Sequence, residues 1–193
     1  PLEIMSMGEN TLNDFRHIPK KRFGQHWLKD RGVLDQIVMA AKLKSEDCVL
    51  EVGPGKGALT EKLIESQARF IQAIELDRDL VVGLKKRFSN QDRFSLTEGD
   101  VLSVPLQAEN GLNINKVVAN IPYNITGPLL KKLIGELSKA SENRFETLVL
   151  LMQKEVAERL VALPGTRNFS ALSVRIQLLA KCHLVCDVPP KCF

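Results

Sequence analysis

The sequence predicts an α/β fold, a mostly parallel sheet with helices on both faces, and three observations predict it. Short apolar runs alternate with segments of helical period from residue 30 onward. The first of these runs ends in a glycine-rich turn that opens a helix. Acidic or amide residues stand at the ends of the runs that follow. Such alternation sets strands side by side with helices covering both faces. In sheets of this kind ligands bind beyond the carboxyl ends of the strands.

Taken in order, Asp30 suits the cap of a first helix whose inner face is marked by Leu34, Ile37, Val38 and Ala41. A strand is predicted over 48–52, and Leu59, Leu63 and Ile64 follow at helical spacing. The second strand is predicted over 70–76, with Leu80, Val81, Leu84 and Phe88 marking the next helix. Strands over 94–97 and 116–119 come next, then a helix over 128–137 with Pro128 in its first turn. A fully apolar strand over 147–152 precedes helical stretches over 155–161 and 171–180 and a last strand over 183–188.

The bulk numbers agree with one globular domain. The chain has 193 residues, 44% of them hydrophobic and 26% charged, which suffices for a sizeable core. No apolar run reaches the roughly 18 residues of a membrane span, so no membrane partner is expected. Residues 1–16 contain no apolar stretch of the secretory kind. Residues 1–19 are expected to be a flexible leader, with the catalytic domain over 20–193. The net charge is only +4, but Arg16, Lys20, Lys21, Arg22, Lys29 and Arg31 face a single opposing Asp30. That stretch carries +5 and the remainder −1. A near-neutral body with a basic arm points to a polyanion. Cys48 reads as a core thiol, and Cys182, Cys186 and Cys192 with His183 match no paired zinc spacing. No metal is expected, and reduced thiols suit a cytosol-like compartment.

The strand ends carry the chemistry. Glu51-Val52-Gly53-Pro54-Gly55-Lys56-Gly57 closes the first strand, and its glycines let backbone approach a ligand closely. Glu75 ends the second strand 22 residues after Gly53, where a carboxylate can accept from both hydroxyls of a ribose. Asp100 ends the third and can accept from an adenine amino group. The glycine turn alone also fits a dinucleotide fingerprint through Gly53, Gly55 and Ala58, so a nicotinamide enzyme is the rival at that step. Asn120-Ile121-Pro122-Tyr123, after the fourth strand, argues against that rival. An exocyclic adenine amine is a poor nucleophile because its lone pair is delocalised into the ring. The Asn120 amide oxygen and a backbone carbonyl presented by the Pro122 turn can accept its two N–H groups and free the lone pair to attack a sulfonium methyl. Tyr123 can stack on the extruded base.

These motifs, with Lys20-Lys21-Arg22-Phe23-Gly24-Gln25-His26-Trp27-Leu28, Leu151-Met152-Gln153-Lys154-Glu155, Phe169-Ser170-Ala171-Leu172-Ser173-Val174 and Val188-Pro189-Pro190, resemble the small-subunit ribosomal RNA adenine dimethyltransferase family from Lys20 onward. The resemblance implies a Rossmann-like fold that uses S-adenosyl-L-methionine. It implies dimethylation of adjacent adenosines in a hairpin loop near the 3′ end of small-subunit rRNA, within pre-ribosomal particles, by a monomer. Carried over by position, donor contacts are expected from Gln25, His26, Leu28, Gly53, Gly55, Glu75, Leu76, Asp100, Val101 and Asn120. RNA contacts are expected from Lys20, Lys21, Arg22, Tyr123 and Phe169, and catalytic roles for Asn120, Pro122 and Tyr123. His26 stands where the family commonly has Asn, Trp27 where Phe or Tyr is common, and Phe169 in place of a frequent Tyr, which rules out a hydroxyl role there. The family's sequence continues past the position of Phe193 with another strand and a small helical domain, both expected to be absent here. Large-subunit rRNA methyltransferases of the macrolide-resistance type share the Asn-x-Pro-Tyr motif, but Gln153-Lys154-Glu155 favours the small-subunit group. Organellar relatives that act as transcription factors and DNA adenine methyltransferases are further alternatives. The bacterial cytosol, plastid and mitochondrion all remain open.

Overall fold

The computed structural model describes residues 1–7, 27–137, 139–140 and 145–193. Among the described residues seven strands form one sheet, β1 (Leu2–Met7), β2 (Cys48–Val52), β3 (Phe70–Glu75), β4 (Phe94–Glu98), β5 (Lys116–Asn120), β8 (Thr147–Gln153) and β9 (Cys182–Val188). Their order is β4-β3-β2-β5-β8-β1-β9. Every pairing in this sheet is parallel. The chain builds outward from β2 through β3 and β4, then returns to lay β5 on the other side of β2. That reversal opens a crevice between the carboxyl ends of β2 and β5.

Strand periodicity sorts the core into two layers. Cys48, Leu50 and Val52 of β2 join Val117, Ala119, Leu148 and Leu150 on one face, against Leu129, Leu130 and Leu133 of α4 (Thr126–Ile134), Ala157 and Leu160 of α5 (Lys154–Val161) and Ile176 of α6 (Ala171–Leu179). Val49, Ile71, Val118 and Val149 face the other way, against Val33, Leu34 and Ile37 of α1 (Arg31–Ala41) and Leu59 and Leu63 of α2 (Ala58–Glu65). On that side α3 (Arg78–Arg87) sets Val81 and Leu84 against Ala73 and Leu96. The expected α/β architecture with helices on both faces is therefore present.

Local signals explain most element ends. Asp30 caps α1, its Oδ1 accepting the Val33 N–H at 3.0 Å. Asp77 caps α3 in the same manner through the Asp79 N–H. The helix expected over 128–137 instead begins at Thr126 and stops at Ile134. Gly135, at φ 90°, ends it. The short hairpin β6 (Gly135–Glu136) and β7 (Lys139–Ala140) follows.

The N-terminal expectation needs correction. Leu2–Met7 is not a flexible leader but an inner strand, paired with β8 on one side and β9 on the other. Leu2, Ile4 and Met5 are wholly buried. Burying three large apolar side chains is worth roughly 1.5–3 kcal/mol each, enough to order a short strand whose two edges are also paired. The rest of the expected leader, 8–19, lies outside the described residues. Among the described residues, no helix is long and apolar enough to cross a membrane.

Candidate active site

A cavity of about 320 Å³ lies over the crevice between β2 and β5. Its volume is at the lower end of the range common for small-ligand sites. The glycine turn after β2 forms its floor. Gly55 has φ 59°, and a Cβ there would stand 3.0 Å from Trp27 Cδ1. Gly57 has φ 83° at the start of α2, and a Cβ there would come within 2.9 Å of Leu84 and Phe88. Both positions thus need glycine for conformation and for space.

Glu75 ties the turn to the sheet. It is buried, its Oε2 accepts the Gly55 N–H at 3.1 Å and its Oε1 accepts the Asp77 N–H at 2.9 Å. Burial raises its pKa, and hydrogen bonds from the Asp77, Gly55 and Leu76 amides partly offset the rise. A carboxylate with each oxygen bonded once still has lone pairs to offer a ligand hydroxyl. Leu76, half exposed, and buried Val101 supply apolar surface between Glu75 and Asp100. Asp100 Oδ1 caps its own turn by accepting the Leu102 N–H at 2.9 Å.

The opposite wall is the segment after β5. Asn120 is the last residue of β5, and the Ile121 N–H donates to the Leu151 carbonyl at 2.9 Å, holding the turn to β8. The Pro122 carbonyl accepts from the Ile125 N–H at 3.2 Å and the Thr126 hydroxyl at 3.4 Å, committing it to the short 3-10 turn Tyr123–Ile125. Tyr123 is half buried, its hydroxyl 3.9 Å from Met7 Sδ. Burial pushes the Tyr123 pKa up, so the phenol is neutral across the physiological range.

Of the site residues expected from sequence, Leu28, Gly53, Gly55, Glu75, Leu76, Asp100, Val101, Asn120, Pro122 and Tyr123 all line this one cavity. Phe169 is not on its wall; it lies in the loop before α6, its N–H donating to the Thr166 carbonyl at 3.1 Å. Gln25, His26, Lys20, Lys21 and Arg22 lie outside the described residues. Among the further lining residues not singled out as site residues from sequence are Met7, Trp27, Glu51 and Lys56. Glu51 had a readable signal, a carboxylate inside an otherwise apolar strand. Its alternation places it with Val49, on the face covered by α1 and α2. Only 1% of it is exposed, and neither carboxylate oxygen has a hydrogen-bond partner among the described residues. Burial pushes its pKa up to about 8; Thr60 beside it pulls the other way and the Glu75 charge adds to the rise.

Comparison with known proteins agrees with this geometry. The family model described as ribosomal RNA adenine dimethylase matches residues 16–193. A protein of Prochlorococcus marinus (strain NATL2A) named ribosomal RNA small subunit methyltransferase A is 86% identical over 186 residues, covering 96% of this chain and 64% of that protein. The protein of the same name from Synechococcus sp. (strain CC9902) is 66% identical, covering 92% of this chain and 65% of its own length. The chain thus spans a little under two thirds of the curated relatives it matches. A crystal structure of a dimethyladenosine transferase from Plasmodium falciparum superposes with a TM-score of 0.69 at 38% identity, covering 79% of this chain and 52% of that one. The 23S rRNA methyltransferase ErmE superposes with a TM-score of 0.56 at 27% identity, covering 69% of this chain and 50% of that one. With the family match running over nearly the whole chain and the motif residues gathered at one cavity, the chain belongs to the ribosomal RNA adenine dimethylase family.

Proposed function

We propose that this domain transfers methyl groups from S-adenosyl-L-methionine to the N6 atoms of adjacent adenosines in small-subunit rRNA, dimethylating each. The observation that carries it is the meeting of Asn120-Ile121-Pro122-Tyr123 with the glycine turn, Glu75 and Asp100 around one cavity. Its lining fits the donor chemically: Glu75 for ribose hydroxyls, Asp100 for an adenine amino group, Leu76 and Val101 for the adenine faces. The buried, unpartnered Glu51 carboxylate suits a positively charged group. S-adenosyl-L-methionine supplies an electrophilic methyl group on its sulfonium.

The chain's own residues position the base and ready its amine. The Asn120 side-chain oxygen accepts an N6–H, which localises the nitrogen lone pair as the amine becomes tetrahedral. Tyr123 offers a ring face to the extruded adenine, and its hydroxyl end is backed by Met7. Hydrogen bonding and orientation then provide the rate enhancement without a covalent enzyme intermediate. A hairpin loop suits such a site because its bases are already partly unstacked. Lys20, Lys21 and Arg22 would add phosphate contacts. The 86% and 66% identities to proteins named for the small subunit, against 27% to ErmE, support small-subunit over large-subunit rRNA. The bacterial relatives support action in a bacterial cytosol.

The test is to incubate the protein with under-methylated small ribosomal subunits and S-adenosyl-L-methionine, then digest the RNA for mass spectrometry. N6,N6-dimethyladenosine near the 3′ end of the small-subunit rRNA is expected. Methylation confined to large-subunit rRNA, or absent from RNA altogether, would contradict the proposal.

A further inference from the structure

The cavity is acidic with one exception. Glu51, Glu75 and Asp100 line it, and Lys56 is the single cation among its described lining residues. The Lys56 ammonium lies 4.0 Å from the centroid of the Trp27 ring. The indole itself sits against the glycine turn, where a Cβ on Gly55 would stand 3.3 Å from Nε1. That Nε1 is buried, and nothing among the described residues accepts its hydrogen bond. A buried N–H without an acceptor is costly, so one that borders a cavity marks where an acceptor belongs.

The donor proposed above carries two positive centres, the sulfonium and the α-ammonium, and one carboxylate. Against this lining the positive centres favour the acids, and the carboxylate favours the corner where an ammonium adjoins an unmet N–H. We propose that Trp27 and Lys56 form an anion-binding corner of the site, with the Trp27 Nε1–H donating to the α-carboxylate of S-adenosyl-L-methionine. This rests on the donor reading of the cavity. A phenylalanine at this position would fill the same space beneath Lys56 and against Gly55 but could not donate.

Calorimetric titration of Trp27→Phe with two ligands tests it. One is S-adenosyl-L-methionine; the other is 5′-methylthioadenosine, which keeps adenine, ribose and sulfur but lacks the amino-acid tail. The variant should bind S-adenosyl-L-methionine about tenfold more weakly or worse, as expected for loss of a hydrogen bond to a charged acceptor, and bind 5′-methylthioadenosine as the wild type does. Lys56→Gln, on an exposed side chain, should show the same selectivity with a smaller loss. Trp27 is the chain's only tryptophan, so its emission reports on this corner alone. In the wild type that emission should respond to S-adenosyl-L-methionine more strongly than to 5′-methylthioadenosine. Unchanged affinity of both variants for S-adenosyl-L-methionine would overturn the inference. Equal losses for the two ligands would also overturn it, by making Trp27 a wall and not a donor. If the wild type bound neither ligand, the donor reading itself would fall first.

Discussion

Glu51 sits on the helix-covered face of β2 with both carboxylate oxygens buried and unpartnered among the described residues. Its pKa is pushed up to about 8 in the folded chain, against an ordinary value of 4.5. Between those two values the folded chain keeps a proton that the unfolded chain has lost. The protonated carboxyl's contribution is therefore fully present below about pH 4.5 and is lost as pH rises through about 8. Glu51→Gln removes this titration while nearly preserving shape. Thermal unfolding of the ligand-free protein across this window should show wild-type stability falling more steeply with pH than that of Glu51→Gln. Parallel profiles would show that Glu51 is ionised in the fold. The contrast with Glu75 shows what sequence can and cannot convey about a residue. Glu75 was legible because a strand-end acid after a glycine turn is a local pattern. The state of Glu51 was not, because its burial depends on α2 closing over β2, a tertiary event. Trp27 and Lys56 are a similar case: Trp27 stood out in sequence only as a departure from the usual Phe or Tyr and Lys56 not at all, and it is their meeting at Gly55 that suggests the role proposed for them.

At the scale of elements, β1 decides how one side of the sheet is held. Among the described residues the edge strand β9 pairs with β1 alone, and β1 in turn pairs with β8. Its last residue, Met7, reaches the cavity wall beside Tyr123. Ile4→Ala should cost about 2–5 kcal/mol in urea unfolding, the range for a fully buried aliphatic side chain. In hydrogen exchange it should also release the backbone amides of Cys182–Val188 earlier than those of Cys48–Val52. Unchanged stability with unchanged protection of β9 would contradict this place for β1. The other strands were legible because apolar runs with turn signals on both sides define them locally. Leu2–Met7 has no such flanks. Its pairing depends on partners near residues 148–153 and 182–188, more than 140 positions away, which no local pattern reports. The helix after Pro128 was misjudged at its far end because the apolar spacing runs on to Leu137, past the glycine at 135 that stops it.

At the scale of the whole molecule, the reversal of strand order between β2 and β5 brings the residues proposed to bind the donor and those proposed to act on the base to one cavity. The glycine turn follows β2, Glu75 ends β3, Asp100 lies just past β4 and the Asn120 turn follows β5, so sheet topology alone gathers them. This is why so much of the site could be read from spacing: each motif ends a strand, and parallel strands end on one side. The central claim is that one wall of this cavity holds the methyl donor while the Asn120 wall acts on the adenine amine. Asn120→Ala separates the two walls. An interaction made chiefly as the amine becomes tetrahedral should, when lost, slow methyl transfer far more than it weakens binding. The decisive measurement is single-turnover methyl transfer to under-methylated small subunits, with S-adenosyl-L-methionine saturating and RNA affinity measured in parallel. The account predicts a rate lowered by about 100-fold or more, comparable to losing a preorganised hydrogen bond in other active sites, with RNA affinity little changed. Transfer at the wild-type rate under saturating donor would contradict it.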